Sequence, residues 1–244
     1  MKIDILTLFP GMFESPFNES IIKRACEKGL LNISITNIRD FAPAPHHQVD
    51  DYPFGGGDGM VMKADILDHA VKSVRTDNAW LIYLSPQGRI LDQAKARDLA
   101  EKPHLVLLCG HYEGIDARVL QTVDEEISIG DYVLTGGEMP AMILVDTVAR
   151  LIPGVLGGEQ SAHEESFTNG LLEYPHYTRP REYEGNDVPD VLLSGHHENI
   201  RLWRKEQSLR NTLLKRPELL LEREFDEEEK RLLQAILFKR ESSR

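Results

Sequence analysis

Short apolar runs alternate with stretches of helical periodicity over roughly the first 155 residues, and few folds accommodate that order. Residues 3–9, 31–38, 80–84 and 105–109 have the composition of strands. The run at 105–109 is apolar throughout, which is typical of a strand covered on both faces of a parallel sheet. We therefore predict an α/β fold built on a mostly parallel sheet.

Helix signals fill the intervals between these strands. Asn18 and Asp92 stand where they can cap the helices that follow them, and residues 114–123 are also predicted to be helical. Pro140 lies near the start of a predicted helix at 139–152, where its missing N–H costs nothing. The order of strands and helices thus continues up to the end of this region.

The composition changes after the α/β domain, which we assign to residues 1–156. Residues 157–172 are polar and contain several Gly and Ser, so we predict a flexible interdomain linker. Residues 173–244 carry helical patterns, with Asp226 and Glu229 spaced as a capping box. We predict that this part is a small all-α C-terminal domain.

The net charge of −12, taken alone, argues against a nucleic-acid partner, because phosphate binding needs Lys and Arg. The acidic residues, however, are concentrated at 124–126 and 226–229. Between His196 and Arg216 there are six Lys or Arg and only two Glu. A solvated helix face is the simpler interpretation of such a segment in isolation, and a nucleic-acid surface is the alternative.

The cysteine content indicates the compartment. Cys26 and Cys109 are the only cysteines and form neither a disulfide framework nor a zinc pattern, which favours a reducing, cytoplasmic location. The first residues, MKIDILTLFPGMF, are predicted to form a strand and not a signal peptide. No apolar stretch approaches the length of a membrane span, so no membrane partner is expected.

Three predicted strands run directly into loops whose composition favours contact with a ligand. The loops are SPQG at 85–88, GHYEG at 110–114 and LTGGE at 134–138. In an open parallel sheet, ligands bind beyond the carboxyl ends of the strands. Each loop alone could be an ordinary turn, but together they predict a pocket for one small molecule.

The third loop follows ISIGDYVL at 127–134, where Ile129, Val133 and Leu134 indicate a strand. Gly130, Gly136 and Gly137 do not, because glycine weakens a strand interior unless something must approach the backbone closely. The pattern predicts a strand through Leu134 that has a close neighbour of unknown kind.

The ligand of this pocket is not predicted to be held by a phosphate grip. The chain lacks G-x-x-x-x-G-K-[ST] and GxGxxG, and the glycines beside Pro86, Tyr132, Leu134 and Pro140 favour a flat apolar group such as adenine. The chain also lacks H-E-x-x-H, CxxC and G-x-S-x-G, so its histidines are interpreted as structural and no metal site or serine hydrolase is predicted.

Two further positions could carry chemistry. Arg150 ends an apolar helix. A cation at this position could complement the helix dipole or have a catalytic role, and the two explanations are equally good. Glu164 and Glu165 lie in the polar segment HEESF, where solvation is the simpler explanation. Composition and spacing leave both roles open.

With these motifs in place, the chain resembles the bacterial tRNA (guanine-N1)-methyltransferases of the SPOUT superfamily, the TrmD family. The resemblance runs along nearly the whole length through KIDILTLFP, VDDYPFGGGDGM, YLSPQGR, CGHYEGID, EISIGDYVLTGGE, RLIPGVLG, PHYTRP, VPDVLLSGHH and KRPELL. It implies a deep trefoil knot in the N-terminal domain, a rare exception to the rules of chain threading. It also implies S-adenosylmethionine as the ligand of the three loops. The implied contacts are Tyr83, Leu84, Ser85, Pro86, Gln87, Gly110, Glu113, Ile129, Gly130, Asp131, Tyr132, Val133, Leu134, Gly136, Gly137 and Pro140.

The resemblance implies a homodimer in which the linker of one subunit reaches the methyl donor of the other. The implied reaction is methyl transfer to N1 of guanine 37 of tRNA, beside the anticodon, with Mg²⁺ assisting in the family although the sequence has no dedicated metal site. The implied general base is Glu165, where the family usually has Asp, and Glu164 could compete for this role. Arg150 is implied to stabilise charge that develops on O6 of the base.

The resemblance also indicates where tRNA binds. The basic helix at 201–216 with Arg179 and Arg181 is expected to contact phosphates, and the loop at 46–59 to reach the anticodon region. His196 is a smaller departure, since Asn is frequent there in the family.

Two alternatives remain at this point. A non-catalytic RNA-binding protein with the same fold is one, because Glu165 departs from the family pattern. An α/β enzyme that uses another adenine cofactor such as NAD is the other, and the missing dinucleotide fingerprint disfavours it.

Overall fold

A computed structural model describes residues 1–157, 165–221 and 223–241 of the 244-residue chain. The chain divides into two compact units, Met1–Glu159 and Gln160–Arg244. In the described part of the chain, no helix combines the length and the apolar character needed to cross a bilayer.

The N-terminal unit alternates strands and helices. Its strands are β1 Lys2–Thr7, β2 Asn32–Asn37, β3 Asp50–Asp51, β4 Val61–Met62, β5 Ala79–Ile90, β6 His104–Cys109 and β7 Glu125–Ser128. Its helices are α1 Glu14–Phe17, α2 Ser20–Glu27, α3 Ala64–Val74, α4 Gln93–Ala100, α5 Ala117–Leu120 and α6 Glu138–Ala149, with 3₁₀ turns at Pro10–Phe13 and Ile38–Phe41.

Five of these strands form a parallel sheet in the order β2-β1-β6-β5-β7. All residues of the central strand β6 are buried, as its uninterrupted apolar run predicted. Leu107 lies opposite Ile5 on one side and Ile82 on the other, so apolar side chains form rows across the sheet. The predicted α/β fold with a mostly parallel sheet is confirmed.

Successive side chains of a strand point to opposite faces of the sheet. Both faces are apolar here, and helices cover each of them. Ile5, Ile82 and Leu107 belong to a core that includes residues of α2, α4 and α6. Leu81 and Leu108 belong to a second core that includes residues of α3 and α5. The helices on each face therefore fix the sheet whose loops carry the candidate site.

The prediction of a strand that continues through Leu134 is wrong, because β7 ends at Ser128. The Ser128 hydroxyl accepts a hydrogen bond from the Gly130 N–H at 3.1 Å and donates to the Gly130 carbonyl at 3.0 Å. Gly130 has a φ of +149°, which strand residues do not adopt. The chain therefore leaves the sheet here, and Val133 and Leu134 lie exposed in a loop.

The predicted helix caps have mixed outcomes. Asp92 caps α4 as predicted, accepting from the Lys95 N–H at 2.7 Å. Asn18 does not cap α2, which begins at Ser20, because its side chain donates to the Glu14 carbonyl at 2.6 Å and closes α1 instead. The helix predicted at 114–123 is reduced to the single turn α5.

The C-terminal unit is not all-α as predicted. Its helices are α7 Asp190–Leu193, α8 His197–Lys215 and α9 Glu227–Glu241, with a 3₁₀ turn at Pro217–Leu220. Strands β8 Glu182–Tyr183 and β9 Asn186–Asp187 form a small antiparallel hairpin in the same unit. The predicted capping box of α9 is confirmed, since Glu229 N–H donates to Asp226 at 2.7 Å and Asp226 N–H donates to Glu229 at 3.0 Å.

Candidate functional site

The three predicted loops meet at one edge of the sheet and enclose a cavity of about 240 Å³. Residues 85–88 reach it as a bulge of β5, since Leu84 and Arg89 both lie opposite Ile127 of β7. Every predicted ligand-contact residue between Tyr83 and Pro140 lines this cavity except Asp131. The fold thus brings together loops that are far apart in the sequence.

Several residues that sequence reasoning did not select also line the cavity. They are His111, Tyr112, Gly114, Ile127, Ser128 and Thr135. All of them except Ile127 are adjacent to a selected residue, so extending each motif by its neighbours would have found most of them.

At two glycines of the site, neighbouring residues leave no space for a side chain. A Cβ on Gly137 would lie 2.6 Å from Cα of Cys109, and the Gly137 N–H donates to the Gly110 carbonyl at 2.9 Å. A Cβ on Gly136 would lie 2.2 Å from the ring of His111. The neighbours that the sequence pattern indicated are therefore, at these positions, other residues of the protein.

Tyr83 forms a neutral wall of the cavity. Burial first, and then the nearby charge of Glu126, raise the pKa of the Tyr83 phenol to about 12. A Cβ on Gly110 would lie 2.8 Å from this phenol, so the ring packs directly under the second loop. Tyr83 therefore stays protonated at physiological pH and gives shape to the site without acting as a base.

A buried polar network supports the cavity from the first turn of α6. Glu138 is 1% exposed; one carboxylate oxygen accepts from the Thr7 hydroxyl at 2.6 Å and the other lies 2.6 Å from Nε2 of His111. The His111 ring packs edge-on against Phe9, with centroids 4.8 Å apart. Glu138 thus fixes the second loop to the start of α6, a role that the sequence did not reveal.

The long loop before α3 is attached to the rim of the cavity. The Glu113 N–H donates to the Met60 carbonyl at 3.0 Å, and the Met62 N–H donates to the Gly114 carbonyl at 3.0 Å. Tyr52 and Phe54, earlier in the same loop, are exposed. An aromatic surface therefore lies on a loop anchored next to the site, where it could stack on unpaired bases.

Arg150 is not among the residues that line the cavity. It follows α6 as its C-cap, whereas Pro140 near the start of α6 lines the cavity. At 1.5 Å per residue, the two positions are about 15 Å apart along the helix. One chain therefore does not place Arg150 at its own cavity.

Glu165 lies in the C-terminal unit, and Glu164 lies outside the described residues. Glu165 lines a second cavity, of about 1030 Å³, together with Tyr174, Arg204, Lys205 and Arg223. The guanidinium of Arg204 lies over the Tyr174 ring at 4.8 Å. This cavity combines a carboxylate with cationic and aromatic side chains.

The basic residues of α8 are partly neutralised by the first turn of α9. Arg201 pairs with Glu198 at 2.8 Å and with Glu228 at 2.6 Å, and Lys205 pairs with Asp226 at 2.9 Å and Glu228 at 3.1 Å. These hydrogen bonds, from Arg201 and then Lys205, lower the pKa of Glu228 to about 2. The acidic segment 226–229 therefore forms ion pairs with Arg201 and Lys205, which the sequence analysis predicted to contact tRNA.

Comparison with known proteins identifies relatives of the whole chain. The model of the family described as tRNA (Guanine-1)-methyltransferase TrmD matches residues 1–222. A Syntrophomonas wolfei protein named tRNA (guanine-N(1)-)-methyltransferase is 66% identical over 244 residues, which cover 100% of both chains. Proteins with this name from Carboxydothermus hydrogenoformans and Dictyoglomus turgidum are 61% and 53% identical. The alignments cover 96% and 97% of this chain and 92% and 96% of theirs.

Proposed function

The chain belongs to the tRNA (guanine-N1)-methyltransferase family, and from this premise we propose that it transfers a methyl group from S-adenosylmethionine to N1 of guanine 37 in tRNA. The observation that carries the proposal is the cavity at the edge of the sheet. Its lining includes every donor contact that the motifs imply except Asp131.

The chemistry of the cavity suits this donor. Among the described residues that line it there is no Lys or Arg, so it lacks a phosphate-binding cation, and S-adenosylmethionine carries no phosphate. Ile129 and Leu134 offer apolar contact to an adenine, and the carboxylate of Glu113 suits the positive charges of the donor. S-adenosylmethionine, when bound, supplies a methyl group already activated by its sulfonium.

The protein then has to orient the guanine and remove the proton from N1. We assign the removal of this proton to Glu165, with Glu164 as the alternative base. A positioned base contributes about 10²–10⁴-fold to the rate of such reactions. We assign to Arg150 the stabilisation of charge that develops on O6 as N1 loses its proton. The loop at 46–59, with its exposed Tyr52 and Phe54, is proposed to contact the anticodon region.

A second copy of the chain is proposed to complete each site. Pro140 lines the donor cavity, and Arg150 lies about 15 Å further along α6. This distance supports a second copy, because within one chain Arg150 is too far from the cavity to act there. Helix α6 also exposes Met139 and Ile143 one turn apart, which gives a partner an apolar surface to cover. We therefore propose a homodimer with the active sites at the subunit interface.

Three further features belong to the proposal. The motifs support a deep trefoil knot in the N-terminal unit. A cytoplasmic location is proposed because the substrate is tRNA and both cysteines are free thiols. Among the described residues, no group of three or more His, Cys, Asp or Glu could hold a metal ion. The assistance by Mg²⁺ that the resemblance implies is therefore not assigned to any residue of this chain, and no step is assigned to it.

The test is transfer of labelled methyl from S-adenosylmethionine to two unmodified tRNA transcripts, one with guanine and one with adenine at position 37. We expect incorporation into the guanine transcript alone, and a loss of about 10²–10⁴-fold in Glu165→Gln. Glu173→Gln, a carboxylate on the same cavity, is the matched control and should retain activity. Donor and tRNA binding without any transfer would instead favour the non-catalytic RNA-binding protein.

A further inference from the structure

The turn that carries Glu165 is held in an unusual backbone conformation. The Thr168 N–H donates to the Glu165 carbonyl at 3.2 Å, and the Phe167 N–H donates to the Leu171 carbonyl at 2.8 Å. Phe167 has a φ of +71°, which bulky residues rarely adopt. Such a conformation persists only where the surrounding structure enforces it.

Helix α8 holds the end of this turn. The Leu172 N–H donates to the hydroxyl of Thr212 at 2.9 Å, and the Asn211 side chain donates to the Glu173 carbonyl at 3.0 Å. Thr212 is fully buried, and its hydroxyl donates in turn to the Ser208 carbonyl at 2.7 Å. The segment after Glu165 is therefore attached to a rigid element.

Arg223 holds the middle of the turn. One guanidinium nitrogen donates to the backbone carbonyl of Asn169, and another donates to Glu229 at 2.5 Å. Glu229 is 6% exposed and is fixed by the capping box of α9. Arg223 itself is 18% exposed, so it links α9 to the turn in a largely dry environment, where charge-assisted hydrogen bonds are strong.

We propose that Arg223 is a positioning residue for methyl transfer. By holding the Asn169 carbonyl against α9, Arg223 fixes the direction in which the turn presents the Glu165 carboxylate to guanine N1. Glutamate has one more rotatable bond than the family's usual aspartate, so its reach depends more on a fixed backbone. The inference rests on the proposed role of Glu165, and Arg223 lies just beyond the residues 1–222 that match the family.

The first test compares Arg223→Met, which keeps the length but loses the donors, with Arg231→Met, which removes an exposed cation of α9. The single-turnover rate constant is measured on the full-length protein at saturating donor and tRNA. We expect Arg223→Met to lower it by about tenfold to 10²-fold with donor and tRNA affinity unchanged. Arg231→Met should match the wild type, and Arg223→Lys, which keeps one donor, should recover part of the loss.

The second test asks whether Arg223 acts through Glu165. If it does, Arg223→Met should cause no further loss in a Glu165→Gln background. The inference would be overturned if the losses caused by Arg223→Met and Glu165→Gln multiplied in the double variant. It would also be overturned by a wild-type rate in Arg223→Met or by a defect confined to its tRNA affinity. If Arg223→Met does not fold, Arg223→Lys and Glu229→Gln weaken the same contact and take its place.

The failure of the proposed function is distinguishable from the failure of this inference. A wild-type protein that transfers no methyl contradicts the function, and full activity in Glu165→Gln contradicts the assigned base. If Glu165→Gln is impaired while Arg223→Met is not, only the inference about Arg223 is wrong.

Discussion

Gly137 shows at the scale of one residue how the donor cavity depends on contacts within the protein. Its Cβ would lie 2.6 Å from Cα of Cys109, so Gly137→Ala must push the third loop away from the second. We expect a loss of about 1–3 kcal/mol in the free energy of unfolding and weaker donor binding. Thermal unfolding and calorimetric titration with S-adenosylmethionine measure the two effects.

Gly11→Ala is the matched control for this substitution, because a Cβ on Gly11 would meet nothing within 4 Å. Its donor affinity should equal that of the wild type. If Gly137→Ala bound the donor as tightly as Gly11→Ala does, the loops would not need to meet at Gly137, and our description of the cavity would be wrong.

Sequence reasoning located these residues better than it explained them. The glycine pattern indicated that something approaches the backbone, and the neighbours at Gly136 and Gly137 are His111 and Cys109. Those pairs are brought together by the order of strands in the sheet, which a local pattern cannot contain. Glu138 was missed for the same reason, since its partner Thr7 is 131 residues away in the chain.

At the scale of elements, the contact between α8 and α9 should depend on pH. The pKa of Glu228 is lowered to about 2 in the folded protein, below the value of about 4.3 for an unperturbed glutamate. Its contribution to stability is therefore present above about pH 4.3 and is lost as the pH falls towards 2. We expect the stability of the wild type to exceed that of Glu228→Gln at neutral pH and to converge on it in this acidic range.

Thermal unfolding of both proteins as a function of pH measures this difference. Glu227→Gln is the control, because Glu227 pairs with Lys230 within its own helix and not with α8. A gap between wild type and Glu228→Gln that stays constant down to pH 2 would contradict the role of Glu228.

The same carboxylate should also weaken tRNA binding. If phosphates bind to Arg201 and Lys205, they have to displace Glu228, so Glu228→Gln should bind tRNA more tightly. Its affinity should also fall more steeply with salt than that of the wild type. Equal affinity and equal salt dependence in the two proteins would mean that this part of α8 does not contact tRNA.

The elements themselves were largely predictable because the period of apolar residues is a local signal. The strands β2 and β6 follow directly from it. The end of β7 was predicted wrongly, because Ile129, Val133 and Leu134 are apolar while the hydrogen bonds of Ser128 turn the chain. The hairpin β8–β9 escaped prediction because strands of two residues have no measurable period.

At the scale of the whole molecule, the proposed dimer predicts complementation between two strongly impaired variants. Gly136→Val should block the donor cavity, since even a Cβ there would lie 2.2 Å from the His111 ring, whereas Glu165→Gln removes the base. A mixed dimer has one site with an intact cavity and an intact base if these come from different chains. Each variant alone should have strongly reduced activity, about 10²–10⁴-fold lower in Glu165→Gln, and co-purified mixed dimers should recover methyl transfer.

A mixed dimer that stays inactive would contradict the shared site, provided that wild-type chains carrying the same tags are active. Recovery in that experiment would also explain why Arg150 lies far along α6 from the cavity of its own chain.

The most direct measurement is the identity and position of the product. Wild-type protein is incubated with S-adenosylmethionine and an unmodified tRNA transcript, and the RNA is digested and analysed by chromatography and mass spectrometry. We predict 1-methylguanosine in the fragment that contains position 37, and none in a transcript with adenine there. A methyl group on another atom or at another position, or no methylated product, would contradict the proposed reaction.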